Sequence, residues 1–398
     1  VANLSTVEIS YLPGQNFECT GCGRCCRGWN VAVDAECRHR VRGSLLELRL
    51  VAERGPVFVE EGGRVRTAHH QGGCTFLLPD SRCSIHAEMG GESKPLDCQQ
   101  FPFMLCETPE GLVVGISFYC ASAQANSGLP LARHEPDIRR LLKRVRPPRL
   151  GFSPLPAGGG ALLSWPQYRL LEDFLRERLA GEPATRAVGQ ALTGLAAWLE
   201  EGAAPEALAD CLRRPLYDGL PALSMEAWFA GVLVAALEGG AEQARLSQDL
   251  VEGREVCLPR FGWRGTAGQV ADFLGRAGAW MGAETTRYLE ALVFRKAPAL
   301  RRPVLDNLAL MASLPCLLAF YAAVSALGRG SAAIERPDWH RALEISEGSL
   351  VTHAPGYDPL YAFFARSYRR QVAHLLAHPP DPSVRRPDEP AALWASPA

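Results

Sequence analysis

Residues 17–29 read FECTGCGRCCRGW, and four cysteines (Cys19, Cys22, Cys25 and Cys26) fall within eight positions of this stretch. Thiols this dense are not ordinary packing residues. Gly21 and Gly23 lie between them and allow tight backbone turns, so that several sulfurs can converge on one point. Thiolate is the metal-ligating form, and a nearby cation favours it. Arg24 and Arg27 flank the cluster and would offset its negative charge. The stretch reads as a ligand loop for a metal ion or an iron–sulfur cluster.

Working outward, the cysteines are unevenly spread. Ten of the thirteen lie between Cys19 and Cys120. Cys211, Cys257 and Cys316 stand alone among apolar or helical residues and read as small buried hydrophobes. A disulfide framework suits short secreted chains. The first residues, VANLSTVEISYLPG, lack the basic and apolar regions of a signal peptide. Cytoplasmic metal binding is therefore the expectation, although a leader preceding Val1 stays open.

With 398 residues, 47% apolar, 21% charged and a net charge of −1, two folded domains are expected and global disorder is not. Nothing in the charge balance points to nucleic acid. Residues 307–328, NLALMASLPCLLAFYAAVSALG, are uncharged and long enough to span a bilayer. Pro315 interrupts them and Asn307, Ser313 and Ser325 dilute them. A buried helix is the better reading, so no stable membrane insertion is expected.

The expected fold class is α+β: a small cysteine-rich metal-binding domain with short β-hairpins, followed by a mostly α-helical domain. Residues 1–125 form the cysteine-cluster domain in this reading. Its lead-in alternates Val7, Ile9 and Tyr11 before a turn at Pro13–Gly14. Residues 31–54 read as helical, with Leu45, Leu46, Leu48 and Val51 as the apolar stripe. PVFVEEGGRVRTAHH (56–70) and MLCETPEGLVVGISFYC (104–120) read as hairpins. On the second, Leu112, Val114, Ile116 and Phe118 share a face, and parity extends it to Cys120. Residues 126–160 are Pro- and Gly-rich and read as a linker with a short basic helix. Its Arg139, Arg140, Lys143, Arg144 and Arg146 form a solvated face or meet an acidic partner. Gly158–Gly160 lacks GxGxxG context and belongs to that linker. Residues 161–378 show helical periodicity at 165–179, 187–199, 225–237, 270–280, 284–295, 304–327, 339–347 and 359–376. The Pro-rich stretch 379–398 is expected to be a disordered tail.

Cys19-x2-Cys22-x2-Cys25 repeats the first three ligands of a bacterial ferredoxin run, but Trp29 occupies the position of the next cysteine. A fourth thiolate must come from Cys26 or from elsewhere. Zinc takes four N or S ligands, often as two C-x2–4-C pairs, whereas eight residues separate Cys74 from Cys83. Spacing alone favours an iron–sulfur site over zinc and leaves the metal open. His86, three residues after Cys83, reads as a ligand, an outer-shell donor or a cap. His69–His70 precede Cys74, and His374 and His378 are four apart on a helix without the glutamate of HExxH. The latter pair reads as solvent-facing.

FECTGCGRCC, CTFLLPDSRCSIHAEMG and KPLDCQQFPF together resemble the YkgJ-like cysteine-cluster family, whose members are described as zinc- or iron-chelating. The resemblance implies Cys19, Cys22, Cys25, Cys26, Cys74, Cys83 and Cys98 as metal ligands. Cys120, in GISFYC, matches a further cysteine of the flagellin lysine N-methylase branch. The resemblance covers residues 17–120 and thins to TRYLEALVFRKAP (286–298) beyond. Cys37 and Cys106 lie outside the shared pattern and read as buried thiols rather than auxiliary ligands.

That branch implies methyl transfer from S-adenosylmethionine to lysines of flagellin or another surface protein. Such a displacement needs a deprotonated amine, alignment and a dry site. The chain has no Rossmann-type fingerprint, and Trp29 stands where a radical S-adenosylmethionine motif would need its third cysteine. The expected cofactor is an iron–sulfur cluster, 4Fe–4S by its spacing, or zinc, with S-adenosylmethionine if the branch holds. The alternative is a non-catalytic zinc- or iron-binding or electron-carrying module, with a helical domain that docks a partner. In a third reading the metal only staples a loop-rich domain. Eight matching thiols exceed one four-ligand site. Two metal sites, or one cluster with spare thiols, follow.

Overall fold

The computed structural model describes residues 7–216, 222–275, 278, 280–352 and 355–378. The expected tail, 379–398, lies outside them. Contacts divide the chain into two compact units, Val1–Pro148 and Arg149–Ala398.

The first unit is assembled from short pieces. Strands β1 (Ile9–Tyr11) and β2 (Asn16–Phe17) lead into the cysteine loop, which ends in the single turn α1 (Cys25–Gly28). Helices α2 (Ala35–Val41) and α3 (Leu45–Arg54) follow, capped by Asp34 and Ser44. Each cap accepts a hydrogen bond from a backbone N–H that the first turn leaves unpaired. Strands β3 (Phe58–Glu61) and β4 (Arg64–Thr67) form the expected hairpin, with Glu61 opposite Arg64. Gly62 (φ 58°) and Gly63 (φ 72°) supply the two left-handed residues of a tight hairpin turn. Then come β5 (His69–His70), β6 (Gly73–Cys74), α4 (Ser84–Met89) and α5 (Leu96–Gln100).

Strands β7 (Phe103–Thr108) and β8 (Gly111–Ile116) make the second hairpin, and β1 adds to β8 in parallel, giving the order β1-β8-β7. Being central, β8 is covered on both faces: Leu112, Val114 and Ile116 are fully buried and Val113 nearly so. Helix α6 (Ala121–Gln124), strand β9 (Leu129–Pro130, paired with β2) and helix α7 (Glu135–Leu142) complete the unit. The arginines of α7 and of the turn after it find acidic groups within the chain. Arg139 pairs with Glu135, Arg140 with Asp137, and Arg144 with Asp34 and Glu36.

Two expectations fail here. Residues 31–54 are mainly helical, as two helices, but the buried face of α3 is Leu46 and Leu50, which pack with Cys37, Val41, Val57, Phe76 and Ile85. Leu45 is 86% and Leu48 60% exposed, and Val51 is exposed too. The apolar residues of α3 span more of its circumference than this small unit can cover. Nor does strand parity reach Cys120. Strand β8 ends at Ile116, and Cys120 sits half-buried at the N-cap of α6.

The second unit is mostly helical. It opens with a hairpin of β10 (Leu155–Gly158) and β11 (Ala161–Leu163), turning at Gly159 and Gly160, both at positive φ. Helices α8 (Trp165–Gly181), α9 (Ala184–Glu200), α10 (Leu208–Arg213), α11 (Ala222–Glu238) and α12 (Gln243–Val251) follow. A second small hairpin, β12 (Val256–Leu258) with β13 (Trp263–Gly265), precedes α13 (Ala267–Leu274), α14 (Trp280–Phe294), α15 (Val304–Gly328), α16 (Arg336–Ser346) and α17 (Asp358–Ala377).

Helix α15 is the axis of this unit, packed by α9, α11, α16 and α17. It contains the apolar stretch at 307–328, including Pro315. Among the described residues it is the one helix long and apolar enough to cross a membrane, and that apolar window is wholly buried in protein. Helix α10 approaches α9 so closely at Gly194 that a Cβ there would lie 2.6 Å from the Leu212 Cα. Among the described residues, two ion pairs are buried: Arg295 with Glu347 and Lys296 with Glu172. Cys211 and Cys316 are buried as expected, but Cys257 is exposed on β12. Its three-residue strand is too short to show alternation in the sequence.

Candidate metal centre

The cysteine loop is held at both ends by aromatic packing. On one side Phe17 meets Phe103 edge-on at 5.5 Å, and a His134 ring nitrogen lies 2.8 Å from the Phe17 carbonyl. On the other, Trp29 lies 4.4 Å from Tyr119 and 5.6 Å from Phe101. Between these anchors Gly21 (φ 65°) and Gly23 (φ 69°) turn the backbone through the left-handed region that glycine adopts without strain. Gly23 is also enclosed: a Cβ there would press on Arg27, Leu77 and Ser81. Gly28 is needed for a different reason, since its Cβ would fall 1.9 Å from the Tyr119 hydroxyl.

The loop displays its thiols at graded depth. Cys19 and Cys22 are exposed, while Cys25 and Cys26, on α1, are half-buried. The returning thiols are also half-buried. Cys74 ends β6 opposite His69, Cys83 is the N-cap of α4, Cys98 lies within α5, and Cys120 caps α6.

Electrostatics shows which of them come together. The Cys25 and Cys26 sulfurs are 4.0 Å apart. Their shared hydrogen bond pulls the Cys25 thiol down to about 7 and pushes the Cys26 thiol up. Cys26 feels Cys74 and Cys83, and Cys98 feels Cys74, Cys83 and Cys25. Cys120 feels Cys25 and Cys22. Charge influence thus links Cys25, Cys26, Cys74, Cys83 and Cys98, on four elements, and Cys120 with Cys25 and Cys22, while Cys19 and Cys22 are exposed.

Burial dominates the remaining shifts. It raises the Cys74 and Cys120 thiols to about 11 and lifts Cys98 further. Lys94 opposes burial at Cys25 and Cys98. A desolvated thiol favours its neutral form, so Cys74, Cys98 and Cys120 ionise more readily beside a cation. The donors are soft and several, which suits zinc or iron. Among the described residues, no three His, Cys, Asp or Glu side chains close to ligating distance of one point. The residues fit a thiolate metal site by chemistry and neighbourhood, without a closed coordination shell.

Cys37 is buried in the apolar cluster of α2 and α3, against which Cys74 and Cys83 also pack. Burial drives its thiol to about 12. Cys106 is buried within β7. His86 is exposed, and a His69 ring nitrogen lies 3.1 Å from the Trp29 carbonyl, tying β5 to the loop. His374 and His378 stack at 4.8 Å on the exposed end of α17.

Several supports gave no signal in the sequence. Arg54 donates to the Thr75 and Leu77 carbonyls just after Cys74. Arg24 donates to Gln124 at 3.0 Å, joining the loop to α6. Asp34 links α2, α5 and the turn after α7.

Residues 18–124 match the CxxCxxCC family model, whose description reads "Putative zinc- or iron-chelating domain". The chain carries a YkgJ-like cysteine-cluster domain. The match spans the loop and all of the returning thiols and ends within the first unit. No curated protein and no solved structure matches the chain.

Proposed function

We propose that the cysteine-cluster domain binds zinc or iron through thiolates as a module without chemistry of its own, and that the helical unit serves as its docking scaffold. The observation that carries this reading is the gathering of Cys25, Cys26, Cys74, Cys83 and Cys98 from four separate elements into one desolvated neighbourhood. Burial makes bare thiolates at Cys74 and Cys98 costly, and a bound cation reverses that preference. When bound, the metal supplies a cross-link between segments far apart in sequence. Cys19, Cys22 and Cys120 are the further ligands the reading allows, either to a second metal or to an iron–sulfur cluster. All thirteen cysteines are free thiols, which suits a reducing, cytoplasmic setting.

Flagellin lysine methylation is the alternative implied by the branch resemblance. Among the described residues, the strands of the helical unit form only two-stranded hairpins. The non-catalytic reading uses more of what the residues offer.

Anaerobic purification followed by metal and sulfide analysis and a visible spectrum tests the proposal. Stoichiometric zinc in colourless protein, or iron with sulfide and broad visible absorption, supports it and identifies the metal. Folded protein that takes up neither metal refutes it. Binding of S-adenosylmethionine with a methyl mass gain on flagellin would replace it with the enzyme reading.

A further inference from the structure

We propose that Asp34, outside the cysteine motif, is the positioning residue that holds Cys98 in the thiol set; the proposal rests on the metal-binding reading above. Its carboxylate caps two helices at once. Oδ1 accepts from the Cys37 N–H at 3.1 Å, capping α2, the helix that Asp34 itself precedes. Oδ2 accepts from the Leu96 N–H at 2.8 Å, across 62 positions of sequence. Leu96 is the first residue of α5, whose own N-cap, Pro95, offers no side-chain acceptor. Asp34 supplies in trans the cap that Pro95 lacks, two residues before Cys98.

The charge of this double cap is met from the turn after α7. Arg144 donates to Asp34 Oδ1 at 3.1 Å and pairs with Glu36 at 2.9 Å. A second tie runs beside the first, as Arg40 donates to the Glu92 carbonyl at 2.8 Å. These ties matter because α5 has five residues, too few to hold a helix by local bonding alone. Its orientation, and with it the direction of the Cys98 sulfur, is set by what grips it from outside.

The geometry requires two acceptor oxygens. In Asp34→Asn one becomes an NH2 donor, which must face an N–H or the Arg144 guanidinium. In Asp34→Ser the short hydroxyl still caps α2 but does not reach Leu96. Both variants should keep α2 and release α5.

The test is mass-mapped alkylation of individual cysteines in the metal-free full-length protein, with circular dichroism as the folding control. In both variants, Cys98 alkylation should rise about tenfold while Cys120 stays at its wild-type rate. In chelator competition, zinc affinity of the reloaded variants should fall by about 10- to 100-fold, the range for outer-shell losses. Cys98 unchanged within about twofold overturns the proposal. So does a parallel rise at Cys98 and Cys120, which would mean general loosening, and so does undiminished zinc affinity beside a freed Cys98. If the wild-type protein takes up neither zinc nor iron, the metal reading falls, and the alkylation pattern still judges the hold of Asp34 on Cys98.

Discussion

Gly28→Ala is a sharp perturbation of the loop, because it adds one methyl group at a place where no backbone argument competes. Gly28 is not among the positive-φ glycines, so alanine is acceptable to the main chain and the effect is steric. The new Cβ would lie 1.9 Å from the Tyr119 hydroxyl oxygen and 2.9 Å from Cζ. Ordinary contact begins at about 3.4 Å, so the hydroxyl must retreat by about 1.5 Å. Tyr119 is 8% exposed and lies 4.4 Å from the Trp29 ring, so it cannot retreat alone. Overpacking of this kind costs about 1–3 kcal/mol. The displacement passes to Trp29 and to α1, which holds Cys25 and Cys26. Urea unfolding should show that loss, and zinc competition should show weaker binding. Tyr119→Phe in the same chain removes the oxygen but leaves Cζ tight, so about half the loss should return. A Gly28→Ala protein within about 0.5 kcal/mol of wild type, with unchanged zinc affinity, would refute the steric reasoning.

Other expectations follow from the same geometry. Metal removal by a chelator should raise amide exchange across residues 18–124 and leave α15 protected; uniform loss of protection would contradict a metal confined to the cysteine domain. Leu46→Ala should cost about 2–5 kcal/mol as a core truncation, whereas Leu48→Ala, on the exposed side of α3, should stay within about 0.5 kcal/mol; equal costs in urea unfolding would refute the buried face assigned here. Glu347 accepts from Arg295, Tyr288 and Thr352 in full burial, so Glu347→Gln should cost about 3–5 kcal/mol by stranding the Arg295 charge. Burial alone would raise the Glu347 carboxyl, but the Arg295 charge and these hydrogen bonds hold it below the usual range. Its stabilisation is therefore complete above the ordinary glutamate value of about 4.3 and is lost as pH falls through the lower folded value. The acid limb of the wild-type stability curve should flatten in Glu347→Gln, and an unchanged limb would contradict the assignment.

What could be read from the sequence was whatever depends on neighbours along the chain. The long uncharged run at 307–328 announced a helix, and its dilution by Asn307, Ser313 and Ser325 argued for protein around it; Asn307 indeed donates to the Pro298 and Leu300 carbonyls. The Gly62–Gly63 pair announced its hairpin. Reading failed where a third element decides. Leu45, Leu46, Leu48 and Val51 are equally apolar, and only packing against Cys37, Val41 and Phe76 selects Leu46. Parity carried Cys120 onto a strand face because nothing local marks the end of β8 at Ile116. Helices α10 and α12 and the hairpin of β12 and β13 are short, and their sequences carry no repeating pattern. Cysteine spacing marked a candidate site without showing which thiols meet.

The candidate centre is built from segments that could not hold themselves. Helices α1, α4, α5 and α6 have four, six, five and four residues, each below the length at which a helix is stable alone. Every thiol of the set lies in such a segment, at its cap, at a two-residue strand or in a glycine turn. Their positions must be imposed either by the metal or by groups outside the motif. The protein supplies the second kind in quantity: Asp34 on α5, Arg54 behind Cys74, Arg24 to Gln124, and the Trp29, Phe101 and Tyr119 rings beneath the loop. These ties bring five thiols into one neighbourhood yet stop short of a closed shell. On the metal-binding reading, a scaffold of that kind would lower the ordering cost of binding a cation.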